Sequence, residues 1–95
     1  MKVPVVLRAD YIMYLEFLEG MLWFHTDVDR WTAKIKAKYL KDLNILQYLT
    51  NCPLVAMVDQ KDKKLSKFAK TIGFKYEQPF LGQDNKMYYI YSRSL

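Results

Sequence analysis

Apolar residues first arrive in short β-branched and aromatic runs. Lys2–Ala9 carries Val3, Val5, Val6 and Leu7, with Pro4 near its start, where a strand tolerates proline. In Tyr11–Leu18 (YIMYLEFL), Tyr11, Met13, Leu15 and Phe17 share one side and Ile12, Tyr14, Glu16 and Leu18 the other, so neither face is purely polar. Met21–Thr26 (MLWFHT) reads as a third strand. Asp10 and Glu19-Gly20 supply the turns, and together these segments predict an antiparallel meander.

The period then changes. From Ile35, apolar residues recur at Tyr39, Leu43, Leu46 and Leu49 or Thr50, a helical stripe that Asp29 or Thr32 can cap. Lys34, Lys38 and Lys41 fall on its far side, and Asn51 with Pro53 stops it. Leu54–Val58 (LVAMV) is a continuous apolar run, the pattern of a strand covered on both faces. Asp59 or Asp62 caps a second helix whose stripe is Leu65, Phe68, Ala69 and Ile72, with Gly73 as its left-handed stop. Phe74–Phe80 and Met87–Ser92 predict a closing hairpin around the turn Leu81–Lys86. The element order is β-β-β-α-β-α-β-β: a mixed α/β class with a mostly antiparallel sheet. No repeat or linker interrupts it, so one compact domain over residues 1–95 is expected.

Composition narrows the functions open to this chain. With 52% hydrophobic residues, 16% aromatics and only 3 Gly and 3 Pro in 95 residues, it is not a disordered or low-complexity segment. The single cysteine, Cys52, excludes an internal disulfide framework, and the single histidine, His25, excludes a His-cluster metal site; no metal is expected. No run reaches the ~18–20 apolar residues of a membrane span, and the N-terminus lacks a signal-peptide core. A reduced, intracellular compartment is the expectation that follows. The formal charge of +5 favours polyanionic partners or acidic protein surfaces without singling out either.

The element order, with a helix ending in Lys70-Thr71-Ile72-Gly73-Phe74 and a terminal hairpin, resembles the C-terminal part of the Gcn5-related N-acyltransferase fold. It is also similar to compact versions of that fold, which lack the first strand and the two helices after it. Trp23-Phe24, Thr26, Trp31, Lys36-Ala37-Lys38, Phe68-Ala69-Lys70-Thr71-Ile72-Gly73 and the aromatic last strand resemble the acyltransferase-like internal virion protein of short-tailed phages, over roughly residues 21–92. The resemblance implies a V-shaped sheet, a setting in the virion or the host cytoplasm, and phage or host proteins as partners.

It also implies where chemistry would sit. Active members of the fold hold the pyrophosphate of acyl-coenzyme A on a Gly-containing loop between a strand and the helix after it. Backbone N–H groups must converge on the phosphates there, and side chains obstruct the approach. The corresponding stretch, Thr26–Lys34, has no glycine and places Asp27 and Asp29 where a polyanion would lie. Arg30 and Lys34 are the cofactor-binding candidates if acetyl-coenzyme A binds at all. The fold's tyrosine general acid, four residues before the Gly-Phe pair, corresponds to Ala69, with Tyr39 and Tyr76 as possible substitutes. Candidate bases are Glu16, His25 and Asp27, none with a partner visible in the sequence. With two elements of the reaction missing, no catalytic residue is assigned and no cofactor is expected. Cys52, before Pro53, lacks an activating neighbour and reads as structural.

Two surface features remain. Lys34, Lys36, Lys38, Lys41, Lys61, Lys63, Lys64, Lys67 and Lys70 lie in or beside the two helices. They read as solvated helix backs, or as one basic surface for nucleic acid if the helices lie side by side. The fold resembled puts those helices on opposite sides, which argues against a single patch. The strands carry large apolar residues on both faces, so Tyr14, Tyr89 and Tyr91 are candidate residues of a protein interface or homo-oligomer. The reading is a non-catalytic, protein-binding phage domain. Its rivals are a small acyl-coenzyme-A-dependent N-acyltransferase and a nucleic-acid-binding module.

Overall fold

A computed structural model describes residues 1–94. The elements are β1 (Val3–Leu7), β2 (Tyr11–Leu18), β3 (Met21–Val28), α1 (Ala33–Thr50), β4 (Leu54–Asp59), α2 (Lys63–Thr71), β5 (Lys75–Leu81) and β6 (Met87–Arg93), the expected order. The class is mixed α/β with mostly antiparallel strands. Two compact units divide the chain close to Leu54, where α1 gives way to β4.

The first unit is the β1-β2-β3 meander with α1. Glu19 and Gly20 both take positive φ, 54° and 75°, as the two-residue turn whose twist matches a hairpin requires. That turn sets the register: Leu18 opposes Met21, Leu15 opposes Phe24, and Ile12 opposes Asp27. β3 runs two residues past the predicted end, to Val28, because β2 still offers Tyr11 and Ile12 as partners. Opposed residues share a face, so Tyr11, Met13, Thr26 and Phe24 lie together. α1 meets this face through Tyr39, whose ring sits edge-on to Tyr11 at 4.8 Å and whose hydroxyl donates to Thr26 Oγ1 at 3.0 Å. Met13, Tyr39 and Leu43 are wholly buried. The helix begins two residues before Ile35 because Thr32, not Asp29, caps it. Of the two stripe endings read from the sequence, Thr50 is half-buried and Leu49 is exposed. Gln47 is buried instead, its amide donating to the Cys52 carbonyl at 2.7 Å and closing the helix end.

A buried polar network ties α1 to the β1–β2 turn. The carboxylate of Asp42 accepts from Arg8 Nε at 2.9 Å, from Arg8 Nη2 at 3.0 Å and from the Tyr11 hydroxyl at 2.5 Å. Arg8 holds the Asp42 carboxyl below the usual carboxylate range.

In the second unit the strand order is β4-β6-β5, with β5 and β6 antiparallel. Val55, Val58, Ala69, Ile72, Phe74 and Tyr91 are its buried apolar residues. Asp62 caps α2, accepting from the Leu65 amide at 3.0 Å. At its other end Gly73, at φ 96°, donates to Lys70 O while the Phe74 amide reaches Ala69 O. This paired closure needs a left-handed residue, and burial of Phe74 accompanies it. β1 and β5 each have one strand neighbour, and each carries a proline and a bulge, Pro4 with a shift before Val6 and Pro79 with a shift before Gln78. Both devices blunt an edge against pairing with another chain, which leaves side-chain faces as the available docking surfaces.

Candidate functional site

The turn from β3 into α1 is filled by side chains. Asp29, Arg30, Trp31 and Thr32 connect Val28 to Ala33, and the chain's three glycines, Gly20, Gly73 and Gly82, all lie elsewhere. The Asp29 amide donates back to Asp10 O at 2.9 Å. Thr32 Oγ1 takes the Ile35 amide at 3.2 Å and Thr32 O takes the Lys36 amide at 2.8 Å, so the helix end satisfies these donors internally. Arg30 and Lys34 are exposed. They supply cationic charge, but on flexible stems and beside Asp29, not on a converging backbone. These residues do not fit a coenzyme A diphosphate.

The acid position fits no better. Ala69 is 5% exposed and offers a methyl group. Of the substitutes, Tyr39 is buried with its hydroxyl committed to Thr26, whereas Tyr76 is exposed on β5, its ring edge-on to Tyr89 at 5.3 Å and to Tyr91 at 5.9 Å.

The face of the meander away from Tyr11 and Met13 carries two polar pairs among apolar residues such as Ile12, Leu18 and Trp23. His25 Nε2 lies 3.1 Å from Glu16 Oε1, and Glu16 Oε2 lies 3.1 Å from the N-terminal ammonium. The ammonium, and after it His25, hold the Glu16 carboxyl below its ordinary range. Next to this pair the Tyr14 hydroxyl donates to Asp27 Oδ2 at 2.7 Å, which pushes the phenol pKa up, and Lys2 Nζ sits 4.5 Å above the Tyr14 ring. All three candidate bases thus have partners that sequence reasoning missed. The signal was available: a two-residue turn at Glu19-Gly20 puts Tyr14 opposite His25 and so brings Glu16 and Asp27 to diagonal positions.

The interface candidates divide. Tyr14 and Tyr89 are half-buried, and Tyr91, at 2% exposure, is a core residue that has no surface to offer. Exposed apolar side chains gather elsewhere. In the first unit, Ile45, Tyr48 and Leu49 form one outer face of α1, with Tyr48 and Leu49 72% and 73% exposed, and Phe17, Leu18 and Met21 surround the β2–β3 turn. The periodicity missed the α1 face because that helix is apolar on two sides, and one stripe was read where there are two. Cys52 is exposed and shares a 140 Å³ hollow with Asn51, Pro53 and Ser94. Among the described residues no group of three or more metal-ligating side chains occurs, and no helix is long and apolar enough to cross a membrane.

No protein-family model matches the sequence, and no curated protein matches it. A solved structure described as a "putative phosphinothricin N-acetyltransferase" is similar, with a TM-score of 0.67 and 17% sequence identity over 90% of this chain. The matched region is 63% of that structure, so this chain spans less than two thirds of its length. At such identity the likeness is one of fold. The element order, the meander followed by α1 and the Ile72-Gly73-Phe74 closure of α2 belong to a fold like that of the Gcn5-related N-acyltransferases.

Proposed function

We propose that this chain is a protein-binding domain that uses an acyltransferase-like fold as a scaffold without performing acyl transfer. Its proposed setting, a phage particle or the cytoplasm of an infected cell, follows from the sequence resemblance. The observation that carries the reading is the β3–α1 turn, which holds no glycine and where the Thr32 hydroxyl already takes the Ile35 amide. Ala69 in place of a hydroxyl-bearing residue points the same way. Docking is supported by the outer face of α1, since large apolar residues standing in water at Ile45, Tyr48 and Leu49 gain by being covered.

Titration with acetyl-coenzyme A tests the non-catalytic half. The melting temperature is expected to stay constant through sub-millimolar ligand; ligand at 100 times its Kd would add about 2.7 kcal/mol, and a rise of several degrees overturns the reading. Docking is tested by Tyr48→Asp with Leu49→Asp. Both side chains are largely in solvent, so melting should move by no more than about 1–2 kcal/mol equivalent while partner binding is lost. If the variant unfolds, the α1 face is core instead.

A second reading, a small acyl-coenzyme-A-dependent N-acyltransferase, draws on the Glu16–His25 pair. A carboxylate bound to one imidazole nitrogen orients the ring, and an imidazole so held is suited to accept a proton from an amine. Turnover of acetyl-coenzyme A that disappears in His25→Ala would establish it.

A further inference from the structure

We propose that the outer face of α2 binds the phosphate backbone of double-stranded DNA, a role additional to the protein docking proposed for α1. The basic charge is unevenly distributed. Residues 55–93 hold eight Lys and Arg against four Asp and Glu, a net +4, whereas the rest of the chain holds seven against six. Five of the eight, Lys61, Lys63, Lys64, Lys67 and Lys70, fall within ten residues, and all five are exposed.

The acids of this unit, already counted in the net +4, direct their hydrogen bonds to groups other than the lysine ammoniums. Asp59 accepts from the Lys61 amide at 2.9 Å, and Asp62 is occupied as the α2 cap at 3.0 Å. Glu77 accepts from the Ser92 hydroxyl, and Asp84 from the Tyr88 hydroxyl at 2.6 Å and the Lys86 amide at 3.1 Å. Among the described residues none of the five lysines forms an ion pair. Lys63, Lys67 and Lys70 recur at the spacing of one helix stripe and span about 10 Å of axis at 1.5 Å per residue. A DNA duplex presents one charge per ~1.7 Å of its own axis, so a row of that length faces several phosphates at once.

The chemistry of the face selects among anionic partners. Protein interfaces are depleted in lysine and anchored by aromatics and arginine, and α2 carries no arginine and only half-buried Phe68 as an aromatic. Insertion into a lipid surface needs an apolar side, but Ala69 and the capping Ile72 are buried within the protein and Leu65 is 40% exposed. Single strands are held largely by stacking on aromatics, which this face does not present. Lysines act as point charges without a bidentate fork, so the contact is to phosphate and independent of sequence.

The test is fluorescence anisotropy with a labelled 20-base-pair duplex of mixed sequence and its single strand, using the whole chain. Duplex binding at ~50 mM salt is expected to weaken about 100-fold by 200 mM, as about four phosphate contacts require. Replacing Lys63, Lys67 and Lys70 by Gln should weaken binding at least about tenfold and reduce the salt slope by about three, with melting temperature unchanged. The same three-charge change at Lys34, Lys38 and Lys41 on α1 should alter affinity by no more than about threefold if the site is local rather than a net-charge effect. Absence of duplex binding at ~50 mM salt, equal loss in the two triple variants, or tighter binding to the single strand, poly-glutamate or phosphatidylserine vesicles overturns the proposal.

Discussion

Replacing Asp42 by alanine is expected to lower the unfolding free energy by about 3 kcal/mol, because the carboxylate is the common acceptor that joins α1 to the start of β2. Its removal leaves the Tyr11 hydroxyl, in a residue only 2% exposed, facing a vacant space with no acceptor. An orphaned buried hydroxyl costs about 1–3 kcal/mol by itself, and the truncation adds a small cavity. For a chain of this size the melting temperature should fall by about 10–20 °C. Asp42→Asn should cost less, since an amide oxygen still accepts from Tyr11. Arg8→Ala should also cost less than Asp42→Ala, because the guanidinium side chain is 43% exposed and the Asp42 carboxyl left behind keeps the Tyr11 hydroxyl as a donor. A loss below about 1 kcal/mol for Asp42→Ala, or an effect smaller than that of Arg8→Ala, would refute this account of the network.

Asp42 also marks where sequence reading stopped. It lies on the α1 stripe between Tyr39 and Leu43, and a carboxylate at a core position signals a buried polar partner. The partner, Arg8, is 34 residues away, and periodicity within a helix says nothing about contacts at that separation. What was legible rests on local physics. The Glu19-Gly20 turn and the Gly73 closure depend on a few neighbouring residues whose conformational preferences are strong, and the caps were narrowed to Asp29 or Thr32 and to Asp59 or Asp62, of which Thr32 and Asp62 are used. The strand limits were off by one or two residues, as at β3, because pairing partners decide where a strand ends.

The same distinction governs the candidate site. The turn without glycine and the alanine four residues before Gly73 could be read from residue identity, since both are local facts. The side-chain pairs needed the strand register as well. Glu16, His25, Tyr14 and Asp27 become two neighbouring pairs only when β2 and β3 lie in register, and the apolar outer face of α1 becomes visible only once the helix has chosen which side to bury. Tyr91 shows the cost of judging exposure by composition: an aromatic-rich strand held both half-buried Tyr89 and fully covered Tyr91.

Alkaline unfolding gives an independent reading of the Asp42 network. Burial, reinforced by the hydrogen bond to Asp42, pushes the Tyr11 phenol from 10.0 up to about 12. The folded state therefore holds this proton more tightly than the unfolded chain does. The contribution to stability is fully present below pH 10, the unfolded value, and is lost as pH rises from 10 through about 12. A shift of this size corresponds to about 3 kcal/mol of pH-dependent stability. Denaturant unfolding followed from pH 9 to pH 12 should show that decline in the native chain. In Tyr11→Phe the curve should be lower at pH 9, having lost the hydrogen bond, but markedly flatter above pH 10. Tyr14 and Tyr88 are also pushed up by Asp27 and Asp84, but they lie in more solvated positions and should leave only a residual slope in that variant. Parallel curves for the two proteins would place the alkaline titration elsewhere and remove Tyr11 from the network's energetics.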